Sequence, residues 1–301
     1  MNRGPRLIRL GLIGVNADFK DVYVPIFLKY LQRIQVTRVF DLRSQLCKSA
    51  ARDMQSKSTC SLMQAVADER IDGLICLRPG WYHAQLARLA DQQNKPLLDF
   101  SGAIPPKISN DVSWNSVTPA LLARYQPAMM RLRELMSTQL GIAEGIELWI
   151  SADTNTIDQH HLSDLLDWGM SILGRDVQGV VPNSDASVAA ISINRTRPVP
   201  GMVELVVHHK KTEEAKPLAR IVCQKGIAEI RSVREIAWRV VDGEEKIELH
   251  EDERRPEEVI IDHFCRRLAG GLIPVPEWKD RVQASTLASH VRDCLRLSEG
   301  V

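Results

Sequence analysis

Leu10-Gly11-Leu12-Ile13-Gly14-Val15-Asn16-Ala17-Asp18-Phe19 is an apolar run closed by a glycine, and helical spacing of apolar residues follows it at once. A strand, a tight turn and a helix in that order open a dinucleotide-binding unit, where backbone N–H groups at the helix N-terminus hold a diphosphate. The pattern G-x-G-x-x-G would put glycine at 14, 16 and 19, where this chain has Gly14, Asn16 and Phe19. Asparagine tolerates a left-handed backbone and can keep the turn, but its side chain stands where a diphosphate approaches. Asp18 adds a negative charge within the turn. Phe19 replaces the glycine that lets helix and strand close together. The stretch therefore predicts the architecture together with a damaged cofactor loop.

Working outward, residues 6–14 read as a buried strand, and Phe19, Val22, Tyr23, Ile26, Phe27, Tyr30, Leu31 and Ile34 as one face of a helix. Pro25, lacking an N–H, belongs in its first turn or at a kink. Residues 36–40 form a second strand ending in Asp41, an acid placed either to hold ribose hydroxyls or to cap the next helix. A polar helix over 44–55 follows, then a capping-box spacing at Ser61-Leu62-Met63-Gln64. Strands at 71–77 and 96–100 flank a helix over 81–92. Strands alternating with helices predict a doubly wound parallel sheet. Residues 104–119, with Pro105, Pro106 and Pro119, read as linker, and 120–136 as a helix entered near Pro127.

Beyond Gly145 the pattern changes. Runs at 146–151, 177–181, 188–194, 202–209, 218–224, 228–233, 237–241 and 246–250 look like strands, interrupted by a helix over 160–173 and punctuated by Asp242-Gly243. Helices over 256–268 and 281–297 close the chain. The fold expected is α/β followed by α+β. A Rossmann-like doubly wound parallel sheet spans 1–118, and an open, mainly antiparallel sheet with helices on one face spans 119–301. The last helices are expected to pack back on the first domain.

A net charge of +1 offers no electrostatic case for nucleic acid or an anionic membrane. No apolar stretch is long enough to span a bilayer. Cys47, Cys60, Cys76, Cys223, Cys265 and Cys294 form no C-x-x-C, which suggests neither zinc nor a disulfide framework. A reduced cytoplasmic protein is expected.

Several motifs in order resemble the glucose–fructose oxidoreductase / inositol dehydrogenase / rhizopine-catabolism (Gfo/Idh/MocA) family over nearly the whole chain. Ile71-Asp72-Gly73-Leu74-Ile75-Cys76-Leu77-Arg78-Pro79-Gly80-Trp81-Tyr82-His83 is similar to its D-a-V-x-I-x-T-P-x-x-x-H segment. Pro25 and Asp41 match a proline of its first helix and the acid after its second strand. His161-Leu162-Ser163-Asp164-Leu165-Leu166-Asp167-Trp168 looks like its H-x-x-D-L-L-x-W helix, and 281–301 like its last one. The resemblance implies an oxidoreductase using NAD or NADP on a sugar, polyol or related hydroxyl compound. Gly14, Asn16, Asp41, Arg43, Pro79 and His83 would hold the cofactor, Arg43 being the residue able to meet a 2′-phosphate.

The departures fall on the reacting groups. The family's E-K-P motif aligns with Phe100-Ser101-Gly102, so Ser101 stands for the catalytic lysine. Loss of a proton-handling group costs roughly 10²–10⁴-fold in rate. Of D-x-G-x-H only the histidine persists, in Ile157-Asp158-Gln159-His160-His161, with Asp158 one place out of register. One residue on a helix is a rotation of about 100°. Two readings stand: a catalytically impaired or non-redox binding, regulatory or partner subunit, and an active dehydrogenase in which His161 moves the proton, with Asp158 and Ser101 beside it. Adjacent histidines do not share a helix face, so His160-His161 is no metal pair. His208-His209-Lys210-Lys211 reads as a solvated strand edge, and Trp81, Trp114, Trp168 and Trp238 as core or interface. Apolar residues on both faces of the strands at 202–207 and 221–223 predict a homo-oligomer formed through the second sheet.

Overall fold

Side chains buried on both faces mark a strand inside a parallel sheet. Leu10, Leu12 and Ile13 are fully buried in β1 (Ile8–Ile13), the first strand of a computed structural model that describes residues 6–78, 80–102, 114–151, 159–182, 187–196, 200–210 and 217–296. The chain divides into two units, Met1–Ala120 with Glu257–Lys279, and Leu121–Pro256 with Asp280–Val301.

In the first unit β1 is joined by β2 (Ile34–Phe40), β3 (Lys57–Thr59), β4 (Gly73–Cys76), β5 (Leu97–Asp99) and β6 (Val117–Pro119). All pair in parallel, in the order β3-β2-β1-β4-β5-β6. Strand order reverses between β1 and β4, which places a crevice at the carboxyl ends of those strands. Helices α1 (Tyr23–Lys29), α2 (Ser44–Asp53), α3 (Leu62–Val66) and α4 (His83–Gln92) make the connections. The helix after β1 is shorter than its apolar spacing predicts. It enters through a 3-10 turn (Ala17–Phe19), restarts at Tyr23, and holds Pro25 within its first turn. Ser61 accepts the Gln64 N–H, as its spacing predicts. The return bond of the capping box is absent, because the Gln64 amide oxygen is taken by Thr59 Oγ1 at 2.9 Å.

Two strands were not expected. β3 is three residues long and its first two are exposed, so it carries no alternating signal. β6 lies inside the presumed linker, and its Pro119 is tolerated because an edge strand has a side without ladder bonds. The linker reading is corrected at 117–119; residues 103–113 lie outside the described residues. From far along the sequence α7 (Pro256–Leu268) packs on β4, where a Cβ at Gly73 would come 2.7 Å from Leu268 Cδ1. Its Glu258 accepts from Lys29 Nζ at 2.7 Å and Tyr30 Oη at 2.6 Å.

The second unit has strands β7 (Ala143–Ser151), β8 (Asp176–Pro182), β9 (Val188–Arg195), β10 (Gly201–Lys210), β11 (Ala219–Cys223), β12 (Gly226–Ile230), β13 (Glu235–Val240) and β14 (Lys246–Leu249). They are ordered β14-β13-β12-β11-β7-β10-β9-β8. Every pair is antiparallel except β7 with β10. That exception follows from connectivity: α6 (Gln159–Leu173) carries the chain across, and the third strand of the β8-β9-β10 meander returns beside β7 in its own direction. Alternation sorts the faces. Val203, Leu205, Val207 and Ile221 share one buried core with α5 (Pro127–Leu135), α6 and α8 (Trp278–Arg296), while Met202 and Val222 are exposed on the other face. Beneath the helices Asp167 is fully buried and accepts from Arg124 and Arg175, and Asp280 accepts from Arg124 as well. Burial works against the Arg124 charge, but these carboxylates outweigh it and hold the guanidinium protonated.

Among the described residues no helix is long and apolar enough to cross a membrane. All six cysteines are free thiols.

Candidate functional site

Gly14 follows β1 with φ +74, and its N–H donates to the Phe40 carbonyl at 2.8 Å. Such a dihedral favours glycine, and crowding adds to the demand. A Cβ here would come 3.0 Å from Tyr82 Oη and 3.1 Å from the Arg78 carbonyl oxygen. The tight turn at Gly14 is thus packed closely by the segment that follows β4. Tyr82, 4% exposed, packs edge-on against Phe40 with ring centroids 5.5 Å apart. Burial chiefly pushes its phenol up to about 12. A matching pair lies across the switch point, where Tyr23 meets Phe100 edge-on at 5.4 Å. The Asn16 side chain lies near the Tyr23 hydroxyl, whose pKa is raised mainly by burial, and its buried Oδ1 accepts no hydrogen bond among the described residues. Phe40 ends β2 and Phe100 follows β5, so the two aromatic pairs flank the β1–β4 crevice. Phe19 is buried as well.

Asp41 closes the next part of the site. Its Oδ2 accepts from Val15 N at 2.7 Å, and its Oδ1 from Arg43 N at 2.7 Å and Arg43 Nε at 3.1 Å. Arg43 Nη2 in turn donates to the Val15 carbonyl at 2.6 Å. Burial opposes ionisation of Asp41, yet these hydrogen bonds outweigh it and hold its pKa below the usual carboxylate value. The carboxylate thus clamps the β1 turn to the β2 turn, and α2 is capped by Arg43 with no side-chain bond. The guanidinium expected to meet a phosphate is engaged in this clamp.

His83 opens α4, and its Nε2 lies 3.1 Å from Asp99 Oδ2, with both residues buried. Ser101 N donates to Asp99 Oδ1 at 3.0 Å. Burial would raise the Asp99 pKa, but the bonds from His83 and Ser101 together bring it below its ordinary value. Trp114 and Trp278 stack at 4.3 Å, 6.3 and 6.4 Å from the His83 ring. Ser101 therefore serves Asp99. Sequence reasoning missed Asp99 and Tyr82; the available signals were an acid ending the apolar run Leu97-Leu98 and an aromatic beside His83. Trp114, Trp168 and Trp238 are core, whereas Trp81 is 78% exposed.

Gly14, Asn16, Asp41, Arg43, His83 and Ser101 are thus gathered along the carboxyl edge of one sheet. Pro79 and Asp158 lie outside the described residues. His161 is exposed on α6 of the second unit. Its neighbour His160 places Nδ1 3.2 Å from Arg281 Nη1 and 3.7 Å from Asp164, whose pKa is raised by burial first of all. Among the described residues no cluster of three or more His, Cys, Asp or Glu could hold a metal ion.

No protein-family model matches the chain, and no curated protein matches it by sequence. Solved structures match its fold nearly end to end. A dehydrogenase, MviM, from Clostridium difficile superposes with a TM-score of 0.73 at 12% identity, covering 96% of this chain and 99% of its own. The UDP-N-acetylglucosamine 3-dehydrogenase of Acidithiobacillus ferrooxidans gives 0.70 at 17%, covering 97% and 99%. An oxidoreductase of Thermotoga maritima gives 0.67 at 15%, covering 97% of each. The fold is that of these oxidoreductases, and the resemblance to the Gfo/Idh/MocA family holds at this level.

Proposed function

We propose that the chain keeps the dehydrogenase fold without hydride transfer and works as a small-molecule-binding, regulatory or partner subunit. The observation that carries this reading is the Asp41 clamp, in which the Val15 N–H of the turn donates to Asp41 Oδ2 at 2.7 Å and Arg43 Nη2 donates to the Val15 carbonyl at 2.6 Å. A diphosphate needs close backbone approach at the second glycine position and free N–H groups in the turn, and here that position is Asn16. The residues present do not fit a nicotinamide dinucleotide, and at Ser101 no ammonium stands ready to hold a substrate hydroxyl. Isothermal titration of the full chain with NAD⁺, NADH, NADP⁺ and NADPH is expected to return no micromolar dissociation constant. A micromolar value, about −8 kcal/mol, for any of the four would overturn the reading and favour an active dehydrogenase with His161 as acid/base. The fold likeness to dehydrogenases along the whole chain is what supports that second reading.

The same proposal places the protein in the cytoplasm, where six free thiols stay reduced. It assembles as a homo-oligomer through the open face of the eight-stranded sheet, where Val181, Met202, Val222 and Ile247 are exposed.

A further inference from the structure

A hollow of about 430 Å³ in the first unit lies between the start of α2 and the segment that follows β3, and two cysteines, Cys47 and Cys60, line it. Cys47 belongs to α2 and is 3% exposed. Its Sγ lies 3.2 Å from the Val39 carbonyl oxygen and 3.6 Å from that of Thr59. Val39 is in β2, and Thr59 ends β3 beside Phe40, so the sulfur sits over the seam between those strands. Cys60 is the next residue, and of the six cysteines it alone is exposed.

Chain geometry bounds how far apart the two thiols stand. In a trans peptide the carbonyl oxygen and the following Cα lie on the same side of the C–N bond, under about 3 Å apart. With the Thr59 oxygen 3.6 Å from Cys47 Sγ, the Cys60 Cα falls within about 6–7 Å of that sulfur. A disulfide joins residues whose Cα atoms are about 4.4–6.8 Å apart, so the pair needs rotation of the exposed Cys60 side chain and little backbone movement. The other thiols lack this arrangement: Cys76, Cys223 and Cys265 are buried, and Cys294 lies in the second unit.

We propose that Cys60 and Cys47 form a thiol–disulfide exchange site, oxidised by low-molecular-mass disulfides such as glutathione disulfide. Cys60, as its thiolate, attacks one sulfur of the reagent. A bond from Cys60 Sγ to that sulfur forms, the reagent's own S–S bond breaks, and one glutathione thiolate leaves. Cys47 then loses its thiol proton to solvent and attacks Cys60 Sγ, which forms the Cys47–Cys60 bond and expels the second glutathione thiolate. The protein dithiol is oxidised by two electrons, and the reagent is reduced to two thiols. The new bond ties α2 to the segment after β3. In a reducing compartment the pair rests as the dithiol, and a disulfide formed there is a transient, sensing one. The site works in the same way whether or not the chain binds a dinucleotide.

The reduced full chain, incubated with glutathione disulfide, quenched with acid and mapped by peptide mass without reductant, tests the site. Trypsin cuts after Lys48, Arg52 and Lys57, so the bond shows as two peptides joined. The wild type is expected to yield the pair joined through Cys47 and Cys60, with no glutathione left on either, and dithiothreitol should separate it. Cys47→Ala should stop at the mixed disulfide and keep glutathione on Cys60, because the second thiol is gone. Cys60→Ser should leave Cys47 reduced, because the reagent does not reach the buried sulfur. Glutathione retained on Cys60 of the wild type overturns the proposal, and so does a Cys60 thiol left unreacted. The wild-type map decides even where Cys47→Ala fails to fold.

Discussion

At the scale of single residues the β1 turn is held by polar satisfaction as much as by packing. Asp41 accepts two backbone N–H groups and one guanidinium, so Asp41→Ala would strand the buried Val15 donor and release Arg43. A loss of about 1–3 kcal/mol is expected, read as a lower urea midpoint at constant slope. Asp41 and Asp99 are both held below the ordinary carboxylate pKa in the folded protein. Their contribution is fully present above the unfolded value, about 3.9, and is lost as pH falls through the lower folded values. Urea midpoints should stay level from pH 7 to about 5 and fall below about pH 4, and Asp41→Asn should flatten that fall. Tyr82 supplies the packing half of that hold. Tyr82→Ala should cost about 3–5 kcal/mol, as large aromatic truncations do, while Tyr82→Phe should cost far less. A melting temperature unchanged in Tyr82→Ala would show that the ring is not packed as described.

Elements explain why some positions accept no side chain. Gly226 begins β12 where the backbone of β13 approaches closely, and a Cβ there would come 2.1 Å from the Arg239 carbonyl oxygen. Gly226→Ala is therefore expected to destabilise by at least about 1–3 kcal/mol, the usual cost of overpacking. Gly179 lies in β8 at the sheet edge with open space where its Cβ would stand. Gly179→Ala should be neutral or stabilise by a few tenths to about 1 kcal/mol through lost unfolded-state freedom. Thermal melts of the two variants side by side decide the matter, and similar losses in both would contradict this account. The same contrast bears on legibility. Long alternating strands such as β9 and β10 were readable because one face meets the helices. β3 and β6, three residues each, take their strand character from the neighbours they pair with.

For the whole molecule, the open face of the second sheet carries the remaining prediction: sedimentation equilibrium is expected to show a dimer or larger assembly, and Met202→Lys with Val222→Lys should shift it toward monomer. A monomer at all concentrations would refute it. Local pattern by itself determined the two fold classes, the order of nearly all elements, and the altered residues at 16, 19 and 101, because periodicity and glycine placement are properties of neighbouring residues. It also marked Gly14, Asp41, Arg43 and His83 as residues with a role. Tertiary structure alone decided what they do. Asp41 and Arg43 form a clamp because their turns meet that of Val15, and His83 pairs with Asp99 because β4 and β5 lie side by side. Tyr82 reaches Gly14 and Phe40 only once the parallel sheet brings the ends of β1, β2 and β4 together. Hydrogen-bond satisfaction and close packing depend on partners distant in sequence, and no local signal carries them.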